Sequence, residues 1–588
     1  VKKRPTKAKP AAKKKAKPRA KKAAAKGGRI HVPLNRWLRF AELTTLLRRW
    51  ADRYPDLVTL TSIGKTNEKR DIWLCTVTDT ATGSHDTKPA VWVDANIHAT
   101  EHTGGAAALN LLDRLLRGYK RDEKVTRALR TRTFYIVPRL SADGAEESMT
   151  DNPRWVRSST RPWPRDEQRD GLVISDVDGD GRILTMRIRD DNGTWKPSDE
   201  DPRLLVPRAA DEDGPGPHYR LISEGTIQNY DGITIKSAPP LAGLDINRNY
   251  PHDWRPGDAQ TGAGPFPTSE PEIRALVEAV VARPNICTYI QYHTASAVHL
   301  RPWSGQADDK FPTFDLRVFK ALGDVAEEIT GYKMVSVYHG FRYDPKDVIT
   351  GVSLDWAYDH LGLLAFVTEF WSPLKRADIE RDETNPLEWA RGHPPSDDVK
   401  LLKWIDEHVP GGFVDWYAFD HPQLGPLEIG GFDTSMLWRN PPLDLVEEEI
   451  TRHADWAIHN ALITPRLTLR EATATRVDDG TWRVRFAVQN AGWLPTNVTQ
   501  KAVERRAVRQ IEMEIELPKG AEVVGEPKVE IGQLAGRALR RSAVNLTMDG
   551  TTDIGKNDWV VKASEGAEIG LVARHPRAGV ARASVVLG

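Results

Sequence analysis

From Phe40 onward, apolar residues recur at helical intervals: Phe40, Leu43, Leu47, Trp50 and Tyr54, with Pro55 closing the run. That spacing predicts an amphipathic helix. The pattern then changes. Leu57–Ile63, Ile72–Val77 and Ala90–Ile97 are short β-like runs, and "GGAAALNLLDRLLRG" after Glu101 reads as a helix closed by Gly118. Thr133–Val137 is another predicted strand. Further on, helices are predicted over 269–282, 314–329 and 353–361, strands over 286–292 and 363–370, and a long helix over 443–462. Strands alternating with helices predict an α/β core with a largely parallel or mixed sheet.

Two stretches depart from this rhythm. Residues 150–240 are rich in Asp, Arg, Pro and Gly, as in "ADEDGPGPH", and read as an insertion. After Pro465 the period becomes two: Trp482, Val484, Phe486 and Val488 alternate with polar residues, and Ile511, Met513, Ile515 and Leu517 alternate with glutamates. Half-buried antiparallel strands have this pattern, so 465–588 is expected to be a β-sandwich domain. A chain of 588 residues is too long for one ordinary domain. The expected division is a tail at 1–28, an α/β domain at 29–464 carrying the insertion, and the sandwich.

Charge changes the picture at one end. Residues 1–28 hold 13 Lys or Arg and no acid, so the rest of the chain sums to −12. A Lys/Ala/Pro tail has no apolar face to bury and is expected to be disordered. It lacks the apolar stretch of a signal peptide. Its expected partner is nucleic acid or another polyanion, held by counterion release; the alternative is a solvated appendage. No apolar run is long enough to span a bilayer. Two cysteines, Cys75 and Cys287, exclude a disulfide scaffold and a cysteine-built zinc site. On the visible sequence the expected location is cytoplasmic, with secretion the alternative.

Candidate chemistry is concentrated in "NIHATEHTGG" (96–105). Two readings compete. In one, His98 and His102 bind zinc on one helical face and Glu101 is the base. In the other, Ala90–Ile97 is a strand, so His98 lies at a strand end and Glu101 at the first turn of the next helix. The chain bends between them and the i, i+4 geometry fails. His293, at the end of the strand in "CTYIQYHTAS", then supplies the third ligand. Two His, one Glu and an open fourth position make the composition of a catalytic zinc site.

Four landmarks in order, "HATE" (98–101), "DINRN" (245–249), "YH" (292–293) and "TEF" (368–370), flanked by "GPFPTSEPE" and "GVSLDWAY", make residues 37–465 resemble the zinc metallocarboxypeptidase family. The resemblance implies a zinc-carboxypeptidase-like mixed sheet flanked by helices, and hydrolysis of the C-terminal peptide bond of peptides or proteins. It implies Glu369 as general base, Asn247 and Arg248 as the grip on the substrate's terminal carboxylate, and Asp245 as the partner that orients His98. The oxyanion-stabilising arginine falls in "NPRWVRSSTR", with Arg157 chosen over Arg154. Leu354 occupies the specificity position, which disfavours basic C-terminal side chains. No prodomain of the digestive kind is expected.

The chain departs from the family in two ways. The family's mobile tyrosine falls at Asp347 by ungapped counting, leaving Tyr343 as the nearest candidate, and Thr100 stands where Arg is frequent. Separately, Asp176, Asp178 and Asp180 resemble half of an EF-hand loop, with Arg187 at the twelfth position and Asp190 or Asp191 as substitute closing ligands. Calcium and a plain polar turn are the competing readings. Two other functions are weighed: a zinc amide hydrolase on the same fold, acting as an amino-acid deacylase or trimming cell-wall peptides, and an inactive polyanion-binding scaffold.

Overall fold

The computed structural model describes residues 30–588 apart from 152, 343–345, 347, 381–386, 540–543 and 545–548. The basic tail at 1–28 therefore lies outside the described residues, as do Tyr343 and Asp347.

An eight-stranded mixed sheet forms the centre. In chain order its strands are β1 (Val58–Lys65), β2 (Asp71–Val77), β3 (Ala90–Ala95), β4 (Thr133–Val137), β5 (Ile286–Thr294), β6 (Val298–Arg301), β7 (Lys333–Ser336) and β8 (Leu364–Phe370). Their spatial order is β1-β2-β4-β3-β5-β8-β6-β7. The inner four, β4, β3, β5 and β8, run parallel. Every residue of these four is buried, so their sequences are apolar over most of their length, and the polar exceptions include Asp94, Gln291, His293 and Glu369. Only β1, at the edge, shows mixed burial over most of its length.

Helices cover the sheet. They are α1 (Phe40–Arg53), α2 (His102–Gly118), α3 (Pro271–Val281), α4 (Thr313–Thr330), α5 (Ser353–Asp359) and α6 (Val446–Ile463). α2 and α6 pack on each other, α3 lies against β1, and α5 lies against β8 and β5. Leu43, Leu46, Leu47 and Trp50 form the buried stripe of α1. Among the described residues no helix is long and apolar enough to cross a membrane.

The 150–240 stretch is more ordered than its composition suggests. Its strands at Thr185–Arg189, Trp195–Pro197, Leu205–Pro207 and Tyr219–Ser223 join a distant hairpin, Phe413–His421 and Gly425–Phe432, in a six-stranded sheet. Leu172, Leu184, Met186, Ile227, Leu427 and Ile429 give this unit its own core. The sequence reading missed the hairpin as part of this unit, because its sheet partners lie more than 200 residues upstream in the chain: Glu428 pairs with Arg187.

Residues 467–586 form two four-stranded sheets that share one core, built on Trp482, Val484, Phe486, Val488, Met513 and Ile515. This unit is fastened to the α/β part by polar contacts. Arg577, buried, donates to the carbonyls of Leu361 (2.5 Å) and Gly362 (3.1 Å) in the α/β part, and to that of Asn497 (3.2 Å) within its own unit. Asp315 on α4 accepts from the N–H groups of Gln500 (2.7 Å) and Lys501 (3.1 Å). Gly362 has φ +60°, and a Cβ there would meet the backbone of Ala502 at 2.3 Å. Only glycine satisfies both that conformation and that approach.

Candidate active site

The site sits at the carboxyl ends of β3, β5 and β8, where parallel α/β sheets place their ligands. β3 stops at Ala95, and Asn96 turns the chain at φ +56°. The Asn96 amide holds the loop by donating to the carbonyls of His98 (2.6 Å) and Ala99 (3.3 Å). Glu101 is the N-cap residue of α2. α2 begins tight against β5: a Cβ on Gly104 would lie 2.8 Å from the Tyr292 carbonyl oxygen.

This close approach brings His293 to the loop. His98, Glu101 and His293 each present one ligand atom, and the three atoms lie within 4.8 Å of one another. His98 Nδ1 is 2.8 Å from Glu101 Oε1 and 3.2 Å from His293 Nδ1; His293 Nδ1 is 3.1 Å from Glu101 Oε2. All three are buried, and Glu101 Oε2 has no hydrogen-bond partner. Two imidazole nitrogens facing each other and an unsatisfied buried carboxylate oxygen fit a cation among them.

The outer nitrogens are held as metal-binding imidazoles are usually held. His98 Nε2 is 3.2 Å from Asp245 Oδ1. His293 Nε2 is 2.6 Å from the amide oxygen of Gln291, whose amide nitrogen donates to Asp94 at 2.7 Å. The Gln291–Asp94 support was not found from the sequence, although alternation along β5 places Gln291 on the same strand face as His293.

His102 is elsewhere. It opens α2, stacks on Trp37 at 5.5 Å and meets Ser148 Oγ at 3.1 Å. Burial, with the nearby Arg139 charge, pushes its imidazole down to about 3. The reading that pairs His98 with His102 therefore fails on geometry.

Glu369 lies on β8 directly beside His293 on β5. Burial pushes its carboxyl up to about 7; Glu101 adds to the rise, and His293, Arg157 and Arg439 oppose it. Burial alone would raise Glu101 too, but the His98 and His293 imidazoles draw it well below the usual range. Asp245 likewise is drawn down, against burial, by Arg248, Arg157 and His98.

Of the two arginines in "NPRWVRSSTR", Arg157 reaches the centre, 3.3 Å from Glu101 and 3.2 Å from Asp245. Arg154 is exposed and pairs with Glu147 at 2.5 Å. A cavity of about 270 Å³ opens beside His98, Glu101 and His293 and is lined by Asn247, Arg248, Leu354 and Glu369 among others. The Asn247 amide oxygen accepts the Ser353 N–H at 3.1 Å, which leaves its NH₂ group for the cavity. The cavity's apolar wall comprises Leu300, Val337, Phe341, Ile349, Val352 and Leu354. Trp438 and Arg439 also line it, from a segment with no recognisable motif.

Asp176, Asp178 and Asp180 also converge within 4.8 Å, on the surface of the insertion. Their carboxylates are engaged by the turn itself: Asp176 accepts from Gly179 and Gly181, Asp178 from Asp180, and Asp180 from Arg182. Asp190 does not close this group; it follows the strand Thr185–Arg189 and pairs with Arg220. Asp176 and Asp178 are half-buried and Asp180 is exposed, and calcium gains no support here.

Sheet order, strand ends and ligand set together describe a zinc hydrolase of the carboxypeptidase type. The profile of the zinc carboxypeptidase family matches residues 43–180 and 219–383, and the chain belongs to that family, a family of metallopeptidases. A domain of unknown function matches residues 466–586. Mouse carboxypeptidase A4 is 23% identical over 325 residues, 54% of this chain and 59% of that protein. Mouse carboxypeptidase A6 is 26% identical over 322 residues, 54% of this chain and 56% of that protein. The chain thus spans less than two thirds of these relatives. A crystal structure of thrombin activatable fibrinolysis inhibitor aligns over 66% of this chain and 78% of its own, with 19% identity and a TM-score of 0.38.

Proposed function

We propose that the protein is a zinc-dependent carboxypeptidase that removes C-terminal residues with neutral, apolar side chains from peptides or proteins. The observation that carries this reading is the pairing of a His98–Glu101–His293 ligand group with Arg248 in one cavity, beside Glu369. Zinc on the ligand group would act as a Lewis acid on the scissile carbonyl and acidify the attacking water. Glu369 takes the proton of that water as its oxygen attacks the carbonyl carbon, and delivers the proton to the amine nitrogen as the C–N bond breaks. A carboxyl pushed up to about 7 is suited to both halves of that transfer near neutral pH.

Arg248 and the Asn247 NH₂ hold the terminal carboxylate, the first through a planar fork that matches its two oxygens. Arg157 places a guanidinium beside the carbonyl oxygen as negative charge develops there. The apolar wall around Leu354 takes the terminal side chain. A lysine or arginine there would meet an apolar wall, since the cavity's carboxylates, Glu101 and Glu369, belong to the ligand group and the proposed base. The reading extends to zinc alone, not to calcium at the acidic turn.

The test combines metal analysis with hydrolysis of N-blocked dipeptides. The purified protein should hold one zinc per chain, cleave a substrate ending in Phe or Leu, and spare the same peptide amidated at its C-terminus. Cleavage of the amidated peptide at equal rate would favour the amide-hydrolase alternative. A zinc-free protein without activity would favour the inert scaffold.

A further inference from the structure

Arg439 comes from the segment between the family-matched region, which ends at residue 383, and α6. That segment is clamped onto the catalytic loop. Asn440 donates to the Thr100 carbonyl at 2.8 Å and accepts from the Thr103 N–H at 3.0 Å. Two residues before Arg439, the Leu437 carbonyl accepts from Trp371 Nε1 at 2.7 Å. The backbone around Arg439 is thus fixed on both sides, while its side chain stays 37% exposed toward the cavity.

Its place among the charges is specific. Arg248 lies 3.9 Å from Asp245, Asp245 3.2 Å from Arg157, Arg157 3.3 Å from Glu101, and Glu101 3.8 Å from Arg439. Arg439 is the far member of this chain of ion pairs. Arg248 and Arg439 are the two ends of that chain, so a peptide with its terminal carboxylate on Arg248 and its scissile carbonyl at the ligand group would carry its preceding residue to the Arg439 end. Leu387, Ala390 and Trp438 line the same cavity.

Charge balance says what that residue should carry. Three guanidiniums, Arg157, Arg248 and Arg439, face the carboxylates of Glu101 and Glu369, with Asp245 between the first two. With a divalent ion on the ligand group, two positive charges remain in surplus, and the substrate's terminal carboxylate cancels one. Ligation would also occupy the Glu101 oxygens, leaving Arg439 with the long 3.5 Å contact it makes to the Thr294 carbonyl.

We propose that Arg439 is a specificity-determining residue that binds an acidic side chain on the substrate residue immediately before the scissile bond. The inference rests on the carboxypeptidase reading above. The zinc-loaded Glu369→Gln protein, in which turnover is slowed, serves as the common background for every comparison, with peptide integrity checked by chromatography after each titration. Calorimetry would compare N-benzoyl-Glu-Phe, N-benzoyl-Gln-Phe and N-benzoyl-Lys-Phe on it. The Glu peptide should bind about tenfold more tightly than the Gln peptide, as a charge-assisted contact predicts. Adding Arg439→Gln should bring that ratio to about 1, and Arg439→Glu should turn the preference toward the Lys peptide. Zinc content and melting temperature, measured on each variant, separate a lost contact from a misfolded protein. Peptides that bind without a Glu preference, or with one that survives both substitutions, overturn the assignment of Arg439 alone. Failure of all three to bind overturns the carboxypeptidase reading with it.

Discussion

His293 and Glu369 stand side by side in register on the parallel strands β5 and β8, so an imidazole and a carboxyl share one end of the sheet. The fixed register of two fully buried strands sets their separation, and no loop has to position either side chain. Glu369→Gln should keep the zinc and lower kcat about 10²- to 10⁴-fold, the usual worth of a positioned proton-transfer group. Atomic absorption and steady-state hydrolysis check the two halves. A fully active variant would remove Glu369 from its role.

Arg157 and Arg154 lie three residues apart but face different environments. Arg157→Ala should cost about 10²- to 10³-fold in kcat, as the loss of one oxyanion-stabilising donor does. Arg154→Ala should stay within about threefold of the parent, since an exposed pair with Glu147 contributes little. Equal losses in both would point to a purely structural role for the segment.

Asp245 acts on the ligand group through His98 Nε2. Asp245→Asn should weaken zinc binding about 10- to 100-fold, because such partners fix the tautomer and basicity of the imidazole. Gln291→Leu should do the same through His293. Competition with a chromophoric chelator reads both. Unchanged affinity in the two variants would show that the imidazoles need no support.

Glu272, at the start of α3, is buried with one oxygen unpartnered, and burial pushes its carboxyl up to about 7 from an ordinary 4.5. Between those values the folded state binds more protons than the unfolded, so this group's contribution to stability falls as pH rises through that window. Glu272→Gln keeps an acceptor for the Asn67 N–H and cannot ionise. It should be more stable than the parent by about 1–3 kcal/mol at pH 8, with the gap closing toward pH 4.5. Chemical denaturation at the two pH values measures this. A gap independent of pH would contradict it.

The parts legible in the sequence were those set by local period and ordered motifs. The inner strands announce themselves as buried runs, the C-terminal strands by alternation, and Glu101 by its position between a strand and a helix. The choice between Arg157 and Arg154 was not decidable by spacing, because it depends on which side chain turns inward beyond the bridge at Arg154. Arg439 and Trp438 were invisible. They come from a stretch without periodicity and reach the cavity only because Asn440 and Leu437 tie it to residues from other elements. The partnership of 413–432 with 185–223 was equally hidden, since strand pairing across such a separation leaves no local mark.

The contacts of Arg577 with the loop at Leu361–Gly362 have a consequence for biogenesis. That loop leads directly into β8, which carries Glu369. During synthesis His98, Glu101, His293 and Glu369 all leave the ribosome before Arg577, the residue that braces this loop. The loop leading into β8 therefore lacks this brace until Arg577 has been made and the sheets around it have formed.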